Sequence, residues 1–202
     1  MATRIEIINR ALTKLGSDRL MSEADDNAAS RAIEAIYDGL LDTLLRTYRW
    51  SFAIKRAQLA PLSSEPLFGY QFQYQLPSDC IRIDAITDVV NQEWWNHDWC
   101  GYNLPYPRYQ VEGRQVLTDM ESPVYIRYGA RMPDPTNYDE AFTEAFACKL
   151  AVEICETITQ SSTKKQAALQ DFDMAIKAAR AASAIERPPI KQQDTSWYTS
   201  RL

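Results

Sequence analysis

Residues 27–59 read NAASRAIEAIYDGLLDTLLRTYRWSFAIKRAQL, and the fold turns on how this stretch divides. From Asn27 to Tyr48 the residues Ile33, Ile36, Tyr37, Leu40, Leu41, Leu44 and Tyr48 recur at three and four, the stripe of an amphipathic helix with a wide buried face. Beyond Trp50 the character changes: short β-favouring runs alternate with Pro, Gly and Ser as far as Pro135. A long helix therefore hands over to a β-rich segment near Trp50. Gly39 inside the helix costs roughly 1 kcal/mol relative to Ala, which points to close packing of another helix at that position.

Working upstream, Ile5, Ile8, Ala11, Leu12 and Leu15 predict a short first helix over Thr3 to Leu15, with Gly16 as the residue after its end. The linker from Ser22 to Asn27 supplies capping side chains, and its acidic groups suit the positive end of the next helix. Downstream, the plausible strands are 51–59, 70–75, 81–89, 109–111, 115–117 and 124–128, with Glu112-Gly113-Arg114 as a tight hairpin turn. Helical spacing returns with Thr136 or Asn137 as a cap. Residues 138–158 are apolar around most of their circumference, so this helix must be largely buried. A polar break at Gln160-Ser161-Ser162 leads to a fourth helix from Thr163 to about Glu186, packing through Leu169, Phe172, Ile176 and an Ala-rich stretch. Arg187-Pro188-Pro189 ends it, because proline lacks the N–H and clashes with the preceding turn.

The expected fold class is α+β: mainly an α-helical bundle of four helices, residues 1–50 and 134–186, with an inserted β-rich subdomain, residues 51–133, and an extended C-terminal tail, residues 187–202. No internal repeat is visible. With 202 residues, 46% hydrophobic and 24% charged, the chain can bury a real core, and global disorder is not expected.

The net charge of -5 and the absence of any Lys/Arg run longer than two argue against a dedicated nucleic-acid binder, because neutralising phosphates needs a basic face. No stretch approaches eighteen consecutive apolar residues and the N-terminus has no hydrophobic signal core, so folding in the cytoplasm is expected, with no membrane partner. Cys80, Cys100, Cys148 and Cys155 contain no C-x-x-C pair and His97 is the single histidine, so no metal site is expected. Cys148 and Cys155 fall two helical turns apart, about 10 Å, too far for a disulfide; both read as small core residues.

No catalytic, cofactor-binding or metal-binding residue is assigned. A nucleophile elbow, a Cys with a placed base, a phosphate loop and a dinucleotide fingerprint are all missing, and His97 reads as a loop residue. Glycoside hydrolysis is the enzymatic alternative, since it needs only two carboxylates beside a sugar and Asp79, Asp84, Glu93 and Asp98 lie near an aromatic segment. No spacing singles out one pair. That segment, residues 93–102, carries Trp94, Trp95 and Trp99 in a polar loop context. Such rings suit a protein interface, and core burial within the β-rich segment competes equally. The tail carries Trp197, Tyr198 and Arg201 in a setting too polar to fold alone; it suits docking onto a neighbour, with a frayed terminus as the competing reading.

The order of several motifs carries a resemblance. Asp26-Asn27-Ala28-Ala29 caps the long helix, which ends in Tyr48-Arg49-Trp50-Ser51-Phe52-Ala53. Tyr74-Gln75-Leu76-Pro77-Ser78-Asp79-Cys80 follows, then Tyr125-Ile126-Arg127-Tyr128, then Tyr138-Asp139-Glu140-Ala141-Phe142. Over nearly its whole length the chain resembles the tail tubular protein A family of short-tailed bacteriophages. The resemblance implies a structural, non-enzymatic virion protein: a homo-oligomeric adaptor ring, a dodecamer, between the portal protein and the tail nozzle protein, with tail fibres as a further candidate partner. It implies that DNA passes through the ring's channel without specific binding, and that the helices pack around the ring with the β-rich part facing nozzle or fibres. Trp197, Tyr198 and Arg201 would then dock on the portal. The Trp94–Trp99 loop has no counterpart in the family pattern.

Overall fold

A computed structural model describes residues 2–22, 25, 27–88 and 109–186. Helix α1 spans Arg4–Leu15. Its start is set by a reciprocal cap, in which the Glu6 N–H donates to Thr3 Oγ1 (3.3 Å) and the Thr3 N–H to Glu6 Oε2 (2.8 Å). Gly16, at φ 71°, ends it in the left-handed region. Helix α2 spans Ala28–Thr47, with the Asn27 side chain accepting from the Ser30 N–H at 2.8 Å. Helix α3 covers Glu140–Thr159 and α4 covers Ser162–Ile185. The cap position of α3 is Asp139; Thr136 and Asn137 instead belong to a 3-10 turn begun by Pro135 and capped by Asp134.

The four helices do not form the four-helix bundle read from the sequence, although the mixed α+β class fits. Helix α3 is a hub: α1, α2 and α4 each pack on it. The reason lies in the width of the apolar faces. Eleven residues of α3 are buried, against four (Ala168, Ile176, Ala179 and Ser183) on the longer α4. A helix apolar on nearly every side needs cover on every side, whereas one with a narrow stripe lies on the outside. A stripe reveals how wide a face is buried and not which neighbour covers it.

Six strands, β1 (Ile54–Pro61), β2 (Phe72–Gln75), β3 (Cys80–Thr87), β4 (Tyr109–Glu112), β5 (Gln115–Thr118) and β6 (Val124–Ala130), form one antiparallel half-barrel sheet in the order β3-β6-β1-β2-β5-β4. Residues 51–53 form a 3-10 turn, so the first strand begins three residues later than its β-favouring composition suggests. Gly113, at φ 58°, supplies the turn between β4 and β5, which pair Val111 with Val116 and Glu112 with Gln115. Along β6, Val124, Ile126 and Tyr128 are buried and the residues between them are half-buried, the alternation of a strand with one core face.

The chain divides into two compact units. One comprises Met1–Lys55, Ser78–Asp84 and Tyr128–Glu186; the described residues of the other fall within Arg56–Pro77 and Ala85–Arg127. In the first, the core joins Ile7, Leu12, Ile33, Tyr37, Leu41, Trp50, Phe142, Phe146, Leu150 and Ile154, all 1% exposed or less.

Gly39 is exposed, and a Cβ added there would meet nothing within 4 Å. The close helix contact expected at this position is absent. Its φ is not positive, so alanine fits without strain. Gly39→Ala should therefore raise stability by about 0.5–1 kcal/mol, seen as a higher urea midpoint at unchanged slope.

Candidate functional site

Two of the motifs, residues 48–53 and 138–142, meet at one joint, where α2 ends and β1 begins. Helix α2 stops without a glycine: Tyr48 leaves it in extended geometry at φ -143°. Its last carbonyls are met from β3, because Arg82 Nη1 donates to Arg46 O (2.9 Å) and to Tyr48 O (2.7 Å). A cation at a helix C-terminus also complements the dipole. Asp84, two residues along the same strand and on the same face, accepts from Arg82 Nε at 2.7 Å. The Asp84 side chain is only 2% exposed and also faces Arg49 Nε at 3.5 Å. Gly129 makes room for this arrangement: a Cβ there would lie 3.4 Å from Arg82 Nη2. Arg46 Nη1 returns the contact by donating to Ile81 O at 2.7 Å.

Beyond the carbonyls the chain turns inward. Trp50 is 1% exposed, and its indole N–H donates to Leu44 O at 2.9 Å. Its ring meets Tyr48 at 4.9 Å and Phe142 at 4.8 Å edge-on, and stacks on Phe52 at 6.2 Å. Tyr138 closes the cluster against Phe52 and Phe142, and its hydroxyl donates to Met132 O at 2.6 Å; burial pushes that phenol well above its usual range. Ser51 fastens the joint to α4, with Ser51 N–H donating to Ser183 Oγ at 3.2 Å and Ser51 Oγ to Ser183 O at 3.1 Å.

A second polar knot holds the base of the sheet. Lys55 Nζ lies 2.8 Å from Asp79 Oδ2, and the Tyr128 hydroxyl donates to Asp79 Oδ1 at 3.1 Å. The Arg131 N–H donates to Asp79 O at 2.7 Å, while its guanidinium pairs with Asp42 at 2.8 Å. Burial pushes the Asp79 carboxyl up, but the hydrogen bonds from Lys55 and Tyr128 and the Lys55 charge outweigh it and hold the group below the usual carboxylate range. Burial, with the bond to Asp79, pushes Tyr128 up to about 12, so it stays a donor at neutral pH.

Of the residues considered for sugar chemistry, Asp79 and Asp84 thus lie in ion pairs. A general acid near neutral pH needs a raised carboxyl pKa, and Asp79 is displaced the other way. Glu93, Asp98, His97, Cys100 and the aromatic-loop residues Trp94, Trp95 and Trp99 lie outside the described residues, as do the tail residues Trp197, Tyr198 and Arg201. Cys148 and Cys155 are free and buried on α3.

A cleft of about 300 Å³ lies where the end of α1 meets α3 and α4, lined by Lys14, Cys148, Lys164 and Asp171 among others. Lys14 pairs with Glu144 at 2.6 Å, Lys164 Nζ donates to Leu15 O at 3.1 Å, and burial pushes the Cys148 thiol up. Its lysines thus serve the helix packing. Among the described residues no group of three or more His, Cys, Asp or Glu is placed to hold a metal, and no helix is long and apolar enough to cross a membrane.

Two features escaped the sequence. The role of Arg82 had one local signal, an Arg-x-Asp spacing that puts both side chains on one face of a strand. The other is a pair of exposed apolar residues, Leu67 and Phe68, whose signal is their adjacency inside a stretch otherwise built of Ser, Glu, Pro and Gly. No family model matches this chain and no curated protein matches it, so a functional reading rests on the joint and on the order of the motifs that build it.

Proposed function

We infer that the chain is a structural virion protein, the adaptor ring that joins the portal to the tail nozzle of a short-tailed bacteriophage and continues the DNA channel. The observation that carries this reading is the convergence at the joint. Tyr48, Trp50, Phe52, Tyr138, Phe142, Asp79 and Tyr128 belong to motifs that are individually weak, yet the first five pack in one aromatic cluster and the last two share a hydrogen bond. Residues needed together in one joint recur in the same order wherever the same joint is built. Their order therefore speaks for a shared architecture more strongly than any single motif.

Such a protein works by geometry, presenting one surface to the portal and another to the nozzle; binding is its output and no chemical step is assigned to it. The net charge of -5 fits a channel past which phosphates slide by weak like-charge repulsion. Trp197, Tyr198 and Arg201 are the proposed portal contacts, and Trp94, Trp95 and Trp99 a proposed second interface. Electron microscopy of the purified protein, alone and mixed with its portal, tests the reading. Closed rings of roughly a dozen copies are expected. Monomers in both samples, or degradation of polysaccharide by the purified chain, would overturn it.

A further inference from the structure

Strand β4 ends the sheet on one side, and every one of its residues, Tyr109–Glu112, is exposed. Its backbone direction follows from its neighbours. Leu76 N–H donates to Arg114 O at 2.9 Å, so position 114, and with it Val116 and Thr118, turns its backbone groups towards β2. Gln115 and Leu117 then turn theirs towards β4, where they oppose Glu112 and Gln110. The two-residue turn at Gly113 and Arg114 requires the same, since the residues flanking such a turn bond to each other. The N–H and C=O of Tyr109 and Val111 therefore point outward, and among the described residues no strand lies beyond them.

The side chains add a second observation. Residues directly opposite in a sheet share a face. Val111 lies opposite Val116, Val116 opposite Tyr74, and Tyr109 opposite Thr118. Tyr74, Val116 and Thr118 are 0% exposed, whereas Val111 is 45% exposed and Tyr109 38%. The buried face thus stops one strand short of the sheet's end. Strand β4 also contains no Lys, Arg or Pro, the residues that blunt an edge against pairing with another chain.

We propose that β4 is a self-recognition edge, along which two copies of this chain pair antiparallel about a two-fold axis at Gln110, with Tyr109 of each copy opposite Val111 of the other. A second copy fits because the edge is its own complement. Within Tyr109–Glu112 this is the antiparallel register that gives every outward N–H and C=O of both strands a partner. It sets an aromatic ring beside a β-branched side chain twice and one Gln110 amide beside the other. It also carries the two Glu112 carboxylates to opposite ends, so no like charges face each other. The added strand covers Tyr109 and Val111, continuing the face that stops at β5. Strands this short bury less than the roughly 1,200 Å² of a stable pair, so the dimer is weak. A two-fold contact closes at two copies; it is distinct from the contact that would build a ring, and neither depends on the other.

Sedimentation of the full chain as wild type and Val111→Lys, up to about 1 mM, tests the pairing, and mild oxidation of Gln110→Cys and Glu112→Cys with oxidised glutathione tests the register. Circular dichroism confirms that the variants fold; all three positions are exposed. Wild type should pass reversibly from monomer to dimer, and Val111→Lys at least about tenfold more weakly. The two Gln110 positions face each other across the axis, whereas the two Glu112 positions stand roughly 14 Å apart, too far for a disulfide. Gln110→Cys should therefore form a covalent dimer at least about tenfold faster than Glu112→Cys, with oxidised wild type as the background from the native cysteines. Where the chain also forms rings, the cross-link decides. Wild type that stays monomeric, association that Val111→Lys leaves unchanged, or Glu112→Cys cross-linking as fast as Gln110→Cys each overturns the proposal and leaves the ring reading to the portal-mixed sample.

Discussion

Trp50→Ala will lower the unfolding free energy by about 3–5 kcal/mol, the range for removing a large aromatic from a packed core. Three things are lost together. The side chain is 1% exposed, so its full transfer term disappears; Tyr48, Phe142 and Phe52 lose a ring against which they pack; and Leu44 O loses one of two side-chain donors, keeping Thr47 Oγ1 at 2.9 Å. Against the usual 5–15 kcal/mol of a native domain this is a large fraction, so the variant should populate unfolded chain at body temperature. Trp50→Phe separates the contributions, since it keeps a ring but removes the N–H; about half the loss is expected from it. Urea unfolding read by far-ultraviolet dichroism gives both numbers. A Trp50→Ala loss below about 1.5 kcal/mol would mean that the joint is not part of the cooperative core.

The second large effect is at Arg82. Arg82→Leu keeps much of the volume but removes the partner of a nearly buried carboxylate and the donor to Arg46 O in α2 and to Tyr48 O just past its end. Breaking a buried pair from one side costs about 3–5 kcal/mol; Arg49 at 3.5 Å from Asp84 offsets part of that, which leaves about 2–4 kcal/mol. Arg82→Lys retains the charge without the planar fork, so it should restore only part of the loss. The sharper test is the double variant Arg82→Leu with Asp84→Leu. If the cost of the single change is an uncompensated buried charge, removing that charge as well makes the double variant more stable than the single one. A double variant that is less stable than Arg82→Leu would place the cost in the lost α2 carbonyl contacts instead.

What the chain revealed before its structure divides along the range of the interactions. Helix α1 was legible in its stripe and its glycine stop, and the β4–β5 hairpin in Glu112-Gly113-Arg114, because these depend on residues within one or two turns of each other. The strands of the 54–130 segment were legible as β-favouring runs to within a few residues, apart from the 3-10 turn at 51–53, which composition does not distinguish from a strand end. The helix arrangement was not legible: the spacing along α3 announces burial, but only the closed fold shows that α1, α2 and α4 share the cover. Gly39 misled for a related reason, since an interior glycine is compatible with either a close neighbour or open solvent. The site divides in the same way. Tyr48 to Ala53 stood out as a motif, whereas its partners Arg82 and Asp84 lie more than thirty residues away and are unremarkable where they stand.

The way α2 ends has a consequence for inheritance. Most helices carry their own stop in the residues that follow; here the stop is supplied from another strand, by Arg82 donating to the carbonyls of Arg46 and Tyr48. The instruction to end the helix is thus written at two addresses, and neither is sufficient alone. Mutational drift at one address alters the meaning of the other, so positions 46 to 49, 82, 84 and 129 must change in concert or hardly at all. In a lineage of such chains these positions would covary as one locus, while position 39, where an added side chain would point into open space, would wander freely.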